Sequence, residues 1–93
     1  MKQDAVFKAL ADPTRRQLIR LLNRGSRSAG ELAQTVDMSP AALSHHLSQL
    51  KAADLVRTER HGQRIVYSSN TTVFENLTRV MLDLFTTQEE KRK

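Results

Sequence analysis

Two groups of side chains in this sequence could do chemistry. Ser39, Ser44, His45, Ser48 and Gln49 set short hydrogen-bonders among small residues such as Ala41. Small residues let a backbone come close to a surface, and Ser, His and Gln can then exchange hydrogen bonds with polar edges such as those of bases. Arg60, His61 and Arg64 form a second, basic group whose guanidinium forks suit phosphate oxygens. Both are binding chemistries. Other acid–base groups are not clustered, there is no Gly-rich phosphate loop, and 93 residues leave little room for a closed pocket. An enzyme is therefore not expected. With no Cys, disulfides, zinc ribbons and thiol switches are excluded. His45 and His46 are adjacent, so on a regular helix they point about 100° apart and cannot chelate one metal. No cofactor and no metal site is expected.

The first group needs a helix to present it. Ser39 is a capping residue and Pro40 suits the first helical position, where its missing N–H costs nothing. At about 100° per residue, Leu43, His46, Leu47 and Leu50 share one stripe. Ala41, His45, Ser48 and Ala52 fall opposite, with Ser44 and Gln49 on the flanks. An outer face chosen only for solubility would carry more Lys and Glu. The spacing thus predicts a helix over 39–53 with a greasy inner face and a lean outer one.

The preceding elements support it. Lys2 to Ala11 sets Ala5, Val6, Ala9 and Leu10 along one side of a short helix, with Phe7 beside them. Asp12-Pro13 starts a second helix to about Asn23, which is expected to bury Leu18, Leu21 and Leu22. Arg16, Arg20 and Arg24 point away from that stripe, a face that solvation alone would also explain, while Arg15 sits nearer it and can pair internally. Ser28 and Glu31 have capping-box spacing before a short helix carrying Leu32, Ala33 and Val36. Two short helices joined by a tight connection at Asp37-Met38, the second with a lean face, make a helix-turn-helix.

After Asp54 the period changes. Leu55–Arg60 and Arg64–Ser68 alternate like strands, with His61-Gly62-Gln63 between them, so a hairpin with a basic tip is expected. A last helix from Thr71 or Thr72 to about Thr87 places Val73, Phe74, Leu77, Val80, Met81, Leu84 and Phe85 on an arc of about 140°, wider than one core requires. Leu82 lies outside even that arc. So much apolar surface asks for a partner helix, most simply from a second copy. Residues 88–93 are charged and expected to fray.

The fold class expected is mostly α with a small β-hairpin, a single winged helix-turn-helix domain over 1–93 in the order α-α-α-α-β-β-α. A net charge of +5 favours an anionic partner. No apolar run approaches the ~20 residues of a membrane span, and no signal-peptide core is legible, so no membrane insertion and a cytoplasmic location are expected.

Several separated motifs agree in order and spacing. Ala11-Asp12-Pro13-Thr14-Arg15-Arg16, Glu31-Leu32-Ala33, Ser44-His45-His46-Leu47, Leu50-Lys51-Ala52-Ala53-Asp54-Leu55-Val56 and Arg60-His61-Gly62-Gln63-Arg64-Ile65-Val66-Tyr67 together resemble the ArsR/SmtB-type winged-helix repressors, most of all their metal-independent SdpR-like branch. The likeness spans roughly residues 4–85. It implies a homodimer joined by the first and last helices, with Val6, Phe7 and Leu10 meeting Leu77, Val80, Met81, Leu84 and Phe85. It also implies double-stranded DNA as partner, a major-groove helix at 39–53, a wing at 57–67 that adds Arg57 to Arg60, His61 and Arg64, and repression of a promoter, often the protein's own.

One departure matters. Sensing members of that family bind metals through Cys before the recognition helix or through Asp and His pairs in the last helix. Here the first place reads Glu31-Leu32-Ala33-Gln34-Thr35-Val36-Asp37 and the last helix has no His. Asp83 with Glu89 or Glu90 is too oxygen-rich for zinc. A releasing signal would then be a regulatory protein partner or a small ligand. His45 is expected toward the groove and His46 toward the core. Ser39 can offer its hydroxyl to a phosphate, and Arg60 and Arg64 are expected on phosphates or in the minor groove rather than in salt bridges. The competing readings are a winged-helix protein-interaction module and an architectural DNA-binding protein without sequence preference.

Overall fold

A computed structural model of the chain describes residues 3–86. The helices are α1 (Gln3–Leu10), α2 (Pro13–Asn23), α3 (Ala29–Thr35), α4 (Pro40–Ala52) and α5 (Thr71–Phe85), and the strands are β1 (Arg27–Ser28), β2 (Val56–His61) and β3 (Arg64–Ser69). This is the expected winged helix-turn-helix with one addition. Arg27 and Ser28 form a short strand against Tyr67 and Val66, so the hairpin becomes a three-stranded antiparallel sheet in the order β1-β3-β2. The frayed tail expected at 88–93 lies outside the described residues.

The helix starts are those that local chemistry dictates. Asp12 Oδ1 accepts from the Thr14 and Arg15 N–H groups at 2.7 and 3.2 Å. Ser28 and Glu31 form a complete capping box, and Ser39 Oγ accepts from Ala42 N–H at 3.1 Å. Each satisfies donors that a helix start leaves orphaned.

The end of α4 is equally specific. Asp54 takes a left-handed φ of 60°, which lets Leu55 N–H reach Leu50 C=O at 3.0 Å and Asp54 N–H reach Lys51 C=O at 3.0 Å. That pair of bonds is a Schellman closure. It turns the chain from the helix straight into β2, with Leu50 and Leu55 both fully buried. Asn70 ties the far end of the hairpin to the same corner, donating from Nδ2 to Asp54 C=O at 2.9 Å. At the wing tip Arg64 pairs with His61, so His61 belongs to β2 and only Gly62-Gln63 turn. Gly62 has φ 66°, as the first residue of a two-residue II′ turn requires.

The core gathers Val6 and Ala9 of α1, Leu18, Ile19 and Leu22 of α2, Leu32 of α3, Leu43, Leu47 and Leu50 of α4, and Leu55, Val56 and Val73 beyond them. On α2 the expected stripe shifts. Ile19 is buried, whereas Leu21 is only half-buried against the edge of the core. Val6, expected at a seam between subunits, is 0% exposed and fills its own subunit's core.

Candidate nucleic-acid interface

The inner side of α4 is consumed by Leu43, Leu47 and Leu50. Its outer side leaves Ala41, Ser44, His45, Ser48, Gln49 and Ala52 exposed, an uncharged row of small and hydrogen-bonding side chains. Ser39 stands exposed at the head of that row; its oxygen is engaged by Ala42 N–H, which leaves its own proton to donate. These residues thus share one exposed side of α4, as their spacing predicts.

His46 behaves differently from His45. It is half-buried, and its Nδ1 lies 3.2 Å from Arg15 Nη1. The two imidazoles are tilted by 59° with centroids 6.0 Å apart. Among the described residues, no group of three or more His, Cys, Asp or Glu could hold a metal ion.

On the wing, Arg57, Arg60, His61 and Arg64 are all exposed. They are not all unengaged. Arg60 Nε donates to Gly62 C=O at 3.2 Å, and His61 Nε2 sits 2.6 Å from Glu59 Oε1. Arg64, expected to avoid salt bridges, makes one with Glu31 at 3.3 Å. The pair reaches from the wing to the first turn of α3, and the 33 positions between its members left no local signal for it. Its exposure keeps it easily exchanged for another anion. Glu31 also accepts from Ser28 N–H at 2.8 Å. The Ser28 backbone N–H, then the Ser28 hydroxyl, then Arg64 and Arg27 hold its carboxyl below the ordinary carboxylate range.

A shallow cleft lies between α3, α4 and β3, lined by Ala29, Ala33, Leu43, Leu47, Ser44 and Tyr67. It holds no pair of groups suited to acid–base work.

The family model described as "Bacterial regulatory protein, arsR family" matches residues 12–58, the span from the α2 cap into β2. The chain belongs to the ArsR family. It is 45% identical over 78 residues to the transcriptional repressor SdpR of Bacillus subtilis (strain 168), covering 84% of this chain and 87% of that protein. To the HTH-type transcriptional regulator Rv2034 of Mycobacterium tuberculosis (strain ATCC 25618 / H37Rv) it is 41% identical over 85 residues, covering 91% and 78% of the two chains. Among solved structures, an ArsR-like transcriptional regulator from Rhodococcus sp. RHA1 superposes with a TM-score of 0.83 at 31% identity, over 87% of this chain and 74% of that one. This ArsR-family chain is thus a DNA-binding transcriptional regulator, and its family is one of regulators rather than enzymes.

The far end of the ArsR-family chain carries another surface. α5 enters the core through Val73, with Phe74 and Leu77 packed beside it. Beyond them Val80 is half-buried, and Met81, Leu82, Leu84 and Phe85 are 39%, 62%, 64% and 80% exposed. Phe7 of α1 is also exposed, while Leu10 is half-buried. No helix among the described residues is long and apolar enough to cross a membrane.

Proposed function

We propose that the protein is a homodimeric, sequence-specific repressor working in the cytoplasm as a single-domain subunit. It lays α4 in the major groove of double-stranded DNA and sets its wing against the backbone or minor groove. The observation that carries this reading is the uncharged exposed row on α4 together with an exposed basic hairpin tip. Ser44, His45, Ser48 and Gln49 offer donors and acceptors to base edges, and Ala41 allows close approach. Ser39, Arg57, Arg60, His61 and Arg64 serve phosphates and sugars, which position the protein without reading sequence.

The two copies join through the exposed stretch of α5 with Phe7 and Leu10 of α1. Large apolar side chains on a small protein are costly to leave wet, and a twofold seam covers the same patch on both copies. The releasing signal in this reading is a partner protein, an organic ligand or the protein's own abundance. Its own promoter is a natural target.

Sequencing duplexes recovered from a random pool by the purified protein tests the reading. A two-fold symmetric consensus is expected. Recovery with no consensus would support the architectural alternative, and failure to retain any duplex would support a protein-interaction module.

A further inference from the structure

Arg15 stands where three helices meet. Its Nε donates to Ala9 C=O at 2.8 Å and its Nη2 to Lys8 C=O at 3.1 Å, both in the last turn of α1. Its Nη1 faces His46 Nδ1 on α4 at 3.2 Å. Its own backbone N–H is held by the Asp12 cap at the start of α2. A guanidinium has donors only, so Nδ1 must present its lone pair and the ring proton of neutral His46 must sit on Nε2. One planar fork therefore satisfies the Ala9 carbonyl at the end of α1, adds a second donor to the Lys8 carbonyl that Ala11 N–H already reaches, and fixes the tautomer of a residue on the recognition helix. His46 is next to His45, the outward imidazole.

The same fork spans the two ends of the molecule's task. α1 carries the exposed Phe7, which the proposed seam includes, and α4 carries the uncharged row. In a twofold dimer the distance between the two recognition helices follows from how α4 sits relative to the seam within each subunit. A shift within one subunit is repeated by the other, and successive base pairs are only ~3.4 Å apart. Apolar packing alone is non-directional, whereas a three-way hydrogen-bonded fork sets an angle.

We propose that Arg15 is a positioning residue for DNA recognition: by tying the Lys8 and Ala9 carbonyls of α1 to His46, it sets the half-site spacing that the dimer accepts. This rests on the reading of a dimer with α4 in the groove.

The test uses the two halves of the site recovered by the wild-type protein, rejoined with spacers lengthened or shortened by one or two base pairs. Binding is measured for the full-length wild type, Arg15→Lys, His46→Asn and His46→Leu. Wild type is expected to prefer the native spacer over a one-base-pair change by about tenfold. Arg15→Lys keeps the charge but loses the fork, and His46→Leu removes the acceptor; both should flatten that preference severalfold. His46→Asn retains an acceptor close to the Nδ1 position and should preserve it. A variant that merely loses folded protein weakens every duplex by the same factor and leaves the preference intact. That outcome in both Arg15→Lys and His46→Leu overturns the proposal. A wild type indifferent to spacing would instead overturn the paired-helix reading beneath it, and the proposal with it. Nitrogen-15 imidazole shifts give a readout free of DNA: His46 should show an unprotonated Nδ1 in wild type, and a protonated one would overturn the assignment.

Discussion

Arg64 Nη2 lies 3.3 Å from Glu31 Oε1, so the wing is tied to α3 by a carboxylate that is also half of a helix cap. The pair leaves 63% and 55% of the two side chains exposed, and such pairs add little to stability. Its consequence is competition, because Glu31 offsets the positive charge that a phosphate would meet at Arg64. Gln at position 31 can still accept from Ser28 N–H but carries no charge. Glu31→Gln is therefore expected to tighten binding to operator and random duplex alike, most at low salt. Arg64→Ala should weaken both and lower the slope of log K against log salt by about one for each phosphate left unneutralised, approaching two per dimer. Salt titrations of both variants decide it. Unchanged affinity and slope in Arg64→Ala would remove Arg64 from the interface.

His45 should read rather than grip. An imidazole on a base edge is worth about 1–3 kcal/mol of discrimination, and a neutral ring releases few counterions. His45→Ala should narrow the gap between operator and scrambled duplex while leaving the salt slope nearly untouched at pH 8. Equal weakening on the two duplexes would show that His45 does not touch a base.

The exposed end of α5 makes assembly testable without DNA. Wild type is expected to be dimeric at micromolar concentration. Leu84→Glu or Val80→Glu would bury an unpaired charge in the seam, which is costly enough to give monomers. Because these side chains lie outside the subunit's core cluster, helicity by circular dichroism should be retained while DNA affinity falls. Sedimentation or light scattering that finds a monomeric wild type would refute the seam.

Acid should loosen the helix starts. Partial desolvation raises the Asp12 carboxyl, but the Arg15 and Thr14 N–H groups, then the charge of Arg15, outweigh it and leave it below its ordinary value. Glu31 is lowered by Ser28 and the nearby arginines. A carboxyl depressed in the folded state contributes stability that is fully present above its unfolded pKa, about 4, and is lost as pH falls through the folded value. Urea midpoints should therefore drop below about pH 4.5. Asp12→Asn and Glu31→Gln should each flatten that drop, and variants that track wild type through the acid limb would contradict the assignment.

Some features needed only neighbours along the chain. Asp12-Pro13, Ser28 with Glu31, and Ser39-Pro40 each marked a helix start, because capping energies arise within three or four residues. The change from helical to alternating period after Asp54 marked the wing, and Gly62 marked its turn. The lean outer face of α4 followed from the same angular arithmetic.

Longer-range features were legible only in part. Arg15 stood out as a residue able to pair internally, but its partners, two carbonyls of α1 and an imidazole 31 positions away, depend on how three helices pack. β1 is two residues long, too short for any periodicity, and exists because β3 offers it an open edge at Tyr67 and Val66.

Residue order alone dictates where the helices and the hairpin begin, which face of α4 is left free, and which family the chain resembles. Those outcomes rest on local hydrogen bonds and on the periodic burial of apolar side chains. Packing between distant segments set the rest: Ile19 is buried while Leu21 stays half-exposed, Val6 serves its own core, and Arg64 and Arg15 find Glu31 and His46. Those choices turn on which element lies across from a given side chain. Close packing and directional hydrogen bonds settle that between segments far apart in the chain, where periodicity carries no information.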